Sequence, residues 1–182
     1  MCAILGIIGK LPEKEVIIKA RDTMTHRGPD DAGLYYSSQE GVALGHRRLS
    51  IIDLSTDGRQ PFFSHDGRYV IVFNGEIYNY VELKKELENF YEFKTQTDTE
   101  VLLAAYIKWG NACLKKLNGM FAFAVWDREK EELFAARDRL GTKPFYYRPQ
   151  SNTLYFASEI KGLLSLSDFS RKLNKKGFID FL

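Results

Sequence analysis

The feature that most restricts how this chain can fold is a series of short apolar runs separated by tight turns. Strand-like segments recur as AILGIIG, GLYYS, VALGH, YVIVFN, MFAFAVWD, ELFAARD, PFYYRP and TLYFAS. Several are apolar at successive positions, the pattern of strands covered on both faces. Most are linked by turn-forming stretches such as SHDGR, DREKEE and PQSN, which favour antiparallel hairpins. Helical periodicity interrupts them three times. Glu13 to Met24 puts Val16, Ile17, Ala20 and Met24 on one stripe. A second helix is expected to begin near Asn79, where Asn79 and Glu82 have capping-box-like spacing before VELKKEL. Thr97 and Glu100 form a cleaner box before VLLAAYIKW, with a stop at Gly110. Many strands with few helices predict sheets stacked on each other and helices outside.

The 182 residues suffice for one domain with a sizeable core. No repeat or linker interrupts the chain before Leu166, so residues 1–166 are expected to be that domain. Residues 167–182 turn polar and basic, then apolar again at FIDFL. An abrupt apolar end is surface without cover, which predicts a helix leading onward and an N-terminal piece of a longer polypeptide. Basic residues number 26 and acidic ones 24, a balance that implies neither a nucleic-acid nor a membrane surface. Cys2 and Cys113 are too few for a disulfide framework and lack zinc-site spacing, so a reducing cytoplasm fits best. Ala3 to Gly9 is far too short to span a bilayer, and no signal-peptide pattern precedes it. His26, His46 and His65 have no metal-ligand spacing, and neither a GxxxxGK[ST] nor an SGGxDS phosphate loop occurs.

Each remaining candidate has an ordinary reading beside a chemical one. Cys2 opens an apolar run, where cysteine is most often a small buried hydrophobe. Loss of Met1 would leave a thiol and a free α-amine on one residue. The amine, near ~7.8, can act as a general base, and the thiol, near ~8.5, is a strong nucleophile once deprotonated. Asn74 and Gly75 follow the run YVIVF; Asn-Gly is a hairpin signal, yet an Asn amide beside a glycine N–H also supplies the donors of an oxyanion hole. HRGPDDAG, residues 26 to 33, reads as a solvated loop. In HRRLSIID, alternation sends Arg47 and Arg48 to opposite faces, and an inward guanidinium needs an anionic partner such as a substrate carboxylate. Asp98 is favoured in a first helical turn with or without a ligand. Cys113, in NACLKKL, is expected on the buried face of a short helix and is assigned no chemistry.

In order along the chain, MCAILGIIG, HRGPDDAG, HRRLSIID, FNGEIYN, TDTEVLLAAY, LNGMFAFAVWD, ARDRLGTKPFYY and FASEIKGL resemble the glutamine amidotransferase domain of the N-terminal-nucleophile type, in particular that of glutamine-hydrolysing asparagine synthetases. The resemblance spans essentially the whole chain. It implies an α+β fold, a four-layer αββα sandwich of two antiparallel sheets. It also implies roles: Cys2 as the nucleophile that its own α-amine serves as base, and Asn74 with Gly75 as the oxyanion donors. Arg48 would bind the substrate α-carboxylate and Asp98 its α-ammonium, with Leu49, Ile51, Ile52 and Glu76 lining the pocket. Arg48 is preferred to Arg47 on the RLS register. Arg27 and Gly28 would support the nucleophile. The implied substrate is glutamine, and the implied partner is a C-terminal synthetase domain in the same polypeptide or another subunit. No cofactor or metal is expected in this domain; ATP and Mg would belong to the synthetase domain. A homodimer, another acceptor such as a sugar or peptide carboxylate, and a non-catalytic glutamine-binding module all remain open.

Overall fold

The computed structural model describes residues 1–50, 56–166, 177 and 179. The chain starts with strand β1 (Ala3–Ile8), helix α1 (Lys14–Asp22), and the hairpin of β2 (Asp31–Ser37) and β3 (Val42–Arg48). A short β4 (Phe62–Phe63) and the long β5 (Tyr69–Ile77) lead into helices α2 (Tyr80–Leu87) and α3 (Asp98–Trp109). The hairpins β6 (Gly119–Asp127) with β7 (Glu132–Arg137) and β8 (Tyr146–Gln150) with β9 (Thr153–Ala157) follow, then α4 (Ile160–Leu164). One sheet has the order β2-β3-β1-β9-β8 and the other β4-β5-β6-β7. All the pairings are antiparallel, as the short turns predict.

Strand alternation builds the layers. Ala3, Leu5 and Ile7 of β1 face Ile17, Ala20 and Met24 of the α1 segment and Leu163 of α4. Ile4 looks the other way, and with Leu44 and Phe156 it meets Val70, Val72, Ala124 and Trp126 of the second sheet. Ile71, Phe73 and Ile77 on the far face of β5 pack with Leu83, Leu87, Leu102 and Leu103 of α2 and α3. The result is helix, sheet, sheet, helix: the four-layer αββα sandwich. Burying the middle strands on both faces explains why their sequences lack polar alternation. Each large side chain removed from water there contributes roughly 1.5–3 kcal/mol.

Five local expectations change. Helix α1 is shorter than the apolar stripe, ending at Asp22 with turns through Arg27. Strand β5 does not stop before Asn74 but runs on to Ile77, paired with β6 throughout. Asn79 makes no side-chain cap; its amide instead clamps the loop before β6, donating to the Lys116 carbonyl at 2.9 Å and accepting the Asn118 N–H at 2.9 Å. Helix α4 is an element the apolar periodicity did not signal. Cys113, by contrast, is buried within a short 3-10 helix over Gly110–Lys115, as expected. Thr97 does cap α3, accepting the Glu100 N–H at 3.2 Å. The Glu100 carboxylate, however, serves Thr95 N–H at 2.7 Å and Lys94 N–H, not the cap residue. The connection expected over residues 167–182 falls, apart from Gly177 and Ile179, outside the described residues.

Candidate active site

A cavity of about 160 Å³ opens where the end of β3, the second half of β5 and the start of α3 converge on the chain's N-terminus. That is room for a small metabolite, below the roughly 300–1,000 Å³ of drug-sized pockets. Cys2, Arg48, Leu49, Asn74, Gly75, Glu76 and Asp98 all line it, so residues up to 96 positions apart meet at one point. Ile51 and Ile52 lie outside the described residues.

Cys2 is partly buried. Its Sγ accepts the Leu49 N–H at 3.5 Å and lies 3.7 Å from the Leu49 carbonyl. Burial pushes the thiol above its ordinary value, while the Leu49 contact, the N-terminal ammonium and Arg48 pull it down. Arg27 donates from Nε to the Cys2 carbonyl at 3.0 Å and ion-pairs with Glu159 at 3.2 Å, which pins the backbone of the nucleophile candidate. Gly28 packs so tightly on the Arg47–Arg48 backbone that a Cβ there would collide with the Arg47 carbonyl. Arg47 holds that loop from outside, donating to the Gly28 carbonyl at 2.9 Å and pairing with Asp22. Arg48 turns inward and is 8% exposed, its guanidinium lying against Gly58. The two neighbouring arginines thus separate as strand alternation requires.

Asn74 is 1% exposed, and its Nδ2 has no acceptor among the described residues. Buried donors are rarely left so, because an unmade hydrogen bond costs about 1–3 kcal/mol. The neighbouring amide follows from strand parity. Tyr69 accepts from Ser64, Phe73 donates to Gln60 and Ile77 donates to Asp98, all away from β6, whereas Tyr78 donates toward the Asn118 carbonyl. Odd-numbered residues of β5 therefore present their amides at its free edge. Gly75 is one of them, sitting between the two occupied positions and facing the cavity. No side chain fits there, since a Cβ would strike the Met120 carbonyl oxygen.

Asp98 opens α3 at 6% exposure, its Oδ2 accepting the Ile77 N–H at 3.0 Å. Burial raises its carboxyl to about 6; the Ile77 and Thr99 amides oppose that, and Glu76 adds to it. Helix N-termini ordinarily favour carboxylates, so a carboxyl raised at one is short of a cation. The cavity therefore offers a thiol, two adjacent N–H donors, a guanidinium and a carboxylate in need of a positive partner. Such a set suits a small zwitterion with a carbonyl at the thiol.

Sequence reasoning missed Gly58, Gln60, Thr97, Thr99, Met120 and Lys143, which also line the cavity. Gln60 and Lys143 are 8% and 5% exposed, and the one available signal was a long polar side chain directly before proline in RQPF and TKPF. Among the described residues no three His, Cys, Asp or Glu side chains come together to hold a metal ion, and no helix is long and apolar enough to cross a membrane.

The model of the glutamine amidotransferase domain matches residues 1–182, and the chain belongs to that family. It is 42% identical to asparagine synthetase [glutamine-hydrolyzing] 3 of Bacillus subtilis (strain 168), over 97% of this chain and 30% of that protein. It is 44% identical to amidase chry2 of Gibberella zeae over 79% of this chain and 22% of the relative. The chain thus spans less than a third of the length of either. The solved structure of glutamine phosphoribosylpyrophosphate amidotransferase from B. subtilis superimposes with a TM-score of 0.77 at 23% identity, covering 91% of this chain and 43% of that one. That likeness is one of fold, and it bears out the sandwich.

Proposed function

We propose that this domain hydrolyses the side-chain amide of glutamine, with Cys2 as nucleophile, and delivers the ammonia to a synthetase domain that builds an amide. The observation that carries the reading is the buried Asn74 Nδ2 without an acceptor, in the same cavity as Cys2, Arg48 and Asp98. After loss of Met1, the α-amine of Cys2 takes the thiol proton and the sulfur attacks the amide carbon. Asn74 Nδ2 and the Gly75 N–H hold the oxyanion. The amine returns the proton to the departing nitrogen, the C–N bond breaks, and ammonia leaves a thioester on Cys2. Water, deprotonated by the same amine, attacks the thioester and glutamate is released.

Arg48 binds the α-carboxylate and Asp98 the α-ammonium, with Leu49 and Glu76 lining the pocket and Arg27 and Gly28 supporting the nucleophile. The name of the asparagine synthetase relative supports asparagine as the final product, hence aspartate as acceptor, and a synthetase domain as partner; we further propose that the synthetase domain uses ATP and Mg and that the enzyme is cytoplasmic. Replacing Cys2 by Ala is expected to abolish glutamate release while the protein stays folded; a Cys2→Ala variant with wild-type activity overturns the mechanism.

A further inference from the structure

The neighbour strand stops short of the cavity. β4 pairs Phe62 with Ile71 of β5, so the next paired position along β5, Phe73, would face residue 60. The main chain has left by then: β4 begins at Phe62 and pairs only Phe62 and Phe63 with β5. Side chains take the place of the missing strand. Gln60 Oε1 accepts the Phe73 N–H at 2.6 Å, and His46 Nε2 meets the Phe73 carbonyl at 3.1 Å. A carbonyl only accepts, so Nε2 carries the proton; His46 is fully buried, and burial lowers its ring to about 4, which keeps it neutral. Both polar groups of the residue before Asn74 are thus held by side chains, and the His46 contact fixes the peptide plane that joins Phe73 to Asn74.

Gln60 reaches a second element. Its Nε2 donates to Thr99 Oγ1 at 3.2 Å, and Thr99 follows Asp98 in the first turn of α3. One carboxamide therefore ties the strand of the oxyanion donors to the helix of the carboxylate. We propose that Gln60 is the positioning residue of this site, standing in for the absent strand beside Phe73 and setting Asn74 and Gly75 at a fixed distance from Asp98. With both ends of its carboxamide committed to protein groups, Gln60 acts through these residues, not on the substrate. Donors stabilise a developing oxyanion only when held at hydrogen-bond distance from where it forms, and small misplacements are costly in rate.

The proposal rests on the glutaminase reading and deepens it. The test uses the processed full chain, with folding checked by thermal melting. Gln60→Ala is expected to lower kcat at least ~10-fold, a fraction of the loss of a whole oxyanion donor, with KM for glutamine within about threefold. Affinity for the aldehyde analogue of glutamine, which forms an oxyanion on the nucleophile, should fall in step with kcat/KM. Alkylation of Cys2 by iodoacetamide passes through no oxyanion and should keep its wild-type rate. Gln60→Glu keeps an oxygen for the Phe73 N–H, and the Thr99 hydroxyl can donate to it, so this variant should hold kcat within about threefold of wild type. It also decides the matter if Gln60→Ala does not fold. Wild-type kcat in Gln60→Ala, an equal loss of iodoacetamide reactivity, or a Gln60→Glu that loses the aldehyde overturns the proposal alone. A wild-type chain that releases no glutamate overturns the glutaminase reading, and this proposal with it.

Discussion

At the scale of single residues, the site keeps a carboxyl where burial makes its charge unfavourable, and the proposed ligand would relieve it. Asp98 is held at about 6 against an ordinary 3.8, mainly by burial. A folded acid with a raised pKa binds protons that the unfolded chain has released, so stability is lost as pH rises from about 4 to about 6. Asp98→Asn keeps an oxygen for the Ile77 N–H and removes the buried charge. It is expected to stabilise the empty protein at pH 8 by up to about 3 kcal/mol, shrinking toward zero near pH 4. Thermal melting against pH measures this. The same variant should raise KM for glutamine at least ~100-fold, since the ammonium loses a buried partner worth several kcal/mol. In the wild type, kcat/KM should fall as pH drops below about 6, where free Asp98 takes up its proton.

That Cys2, Arg48, Asn74, Gly75 and Asp98 belong together was legible in the sequence, because each lies in a short motif and the motifs keep a fixed order; the structure brings all five to one cavity. Gln60 and Lys143 were not legible, because their place in the cavity depends on which strand edge lies open and which wall the fold brings near. A long polar side chain before proline marks RQPF and TKPF, but it encodes neither the edge nor the wall.

At the scale of elements, β5 supplies Asn74, Gly75 and Glu76 to the cavity and departs from the sequence expectation in one respect. Asn-Gly is a turn signal when nothing else competes. Here nine residues of β5 pair with β6 and the glycine is wanted for close approach to Met120, so the strand continues through it. The capping boxes divide on similar grounds. Asn79 has a better use clamping Lys116 and Asn118 across the β6 entry, whereas Thr97 has the Glu100 N–H within reach. Thr97→Ala is expected to cost about 1 kcal/mol of stability in denaturant melts. Its KM effect should be small beside that of Asp98→Asn, because the cap holds the helix start and not the ligand.

At the scale of the molecule, the sandwich brings the chain's N-terminus and the turn after β9 together beside the site. Cys2 leads β1, in the middle of its sheet, and Glu159, just after β9, holds Arg27, which holds the Cys2 carbonyl. The hydrophobic pattern made the stacked sheets legible, since doubly covered strands need a layer on each side. Which helices cover which sheet emerged only from packing. Acting alone, the domain is expected to release glutamate and ammonia into solution in equal amounts, as measured by coupled assay, because the ammonia then has no acceptor.

The central claim is that Cys2 becomes the nucleophile when Met1 is removed. Cys113 is an internal control: it is fully buried and burial pushes its thiol up to about 11, so it should be unreactive. Intact mass spectrometry before and after treatment with a glutamine-derived chloroketone tests this directly, with the adduct located by peptide mapping. The expected result is a chain lacking Met1 that gains one adduct, on Cys2, as glutaminase activity disappears. Full activity with Met1 in place, or an adduct on Cys113, would contradict the account.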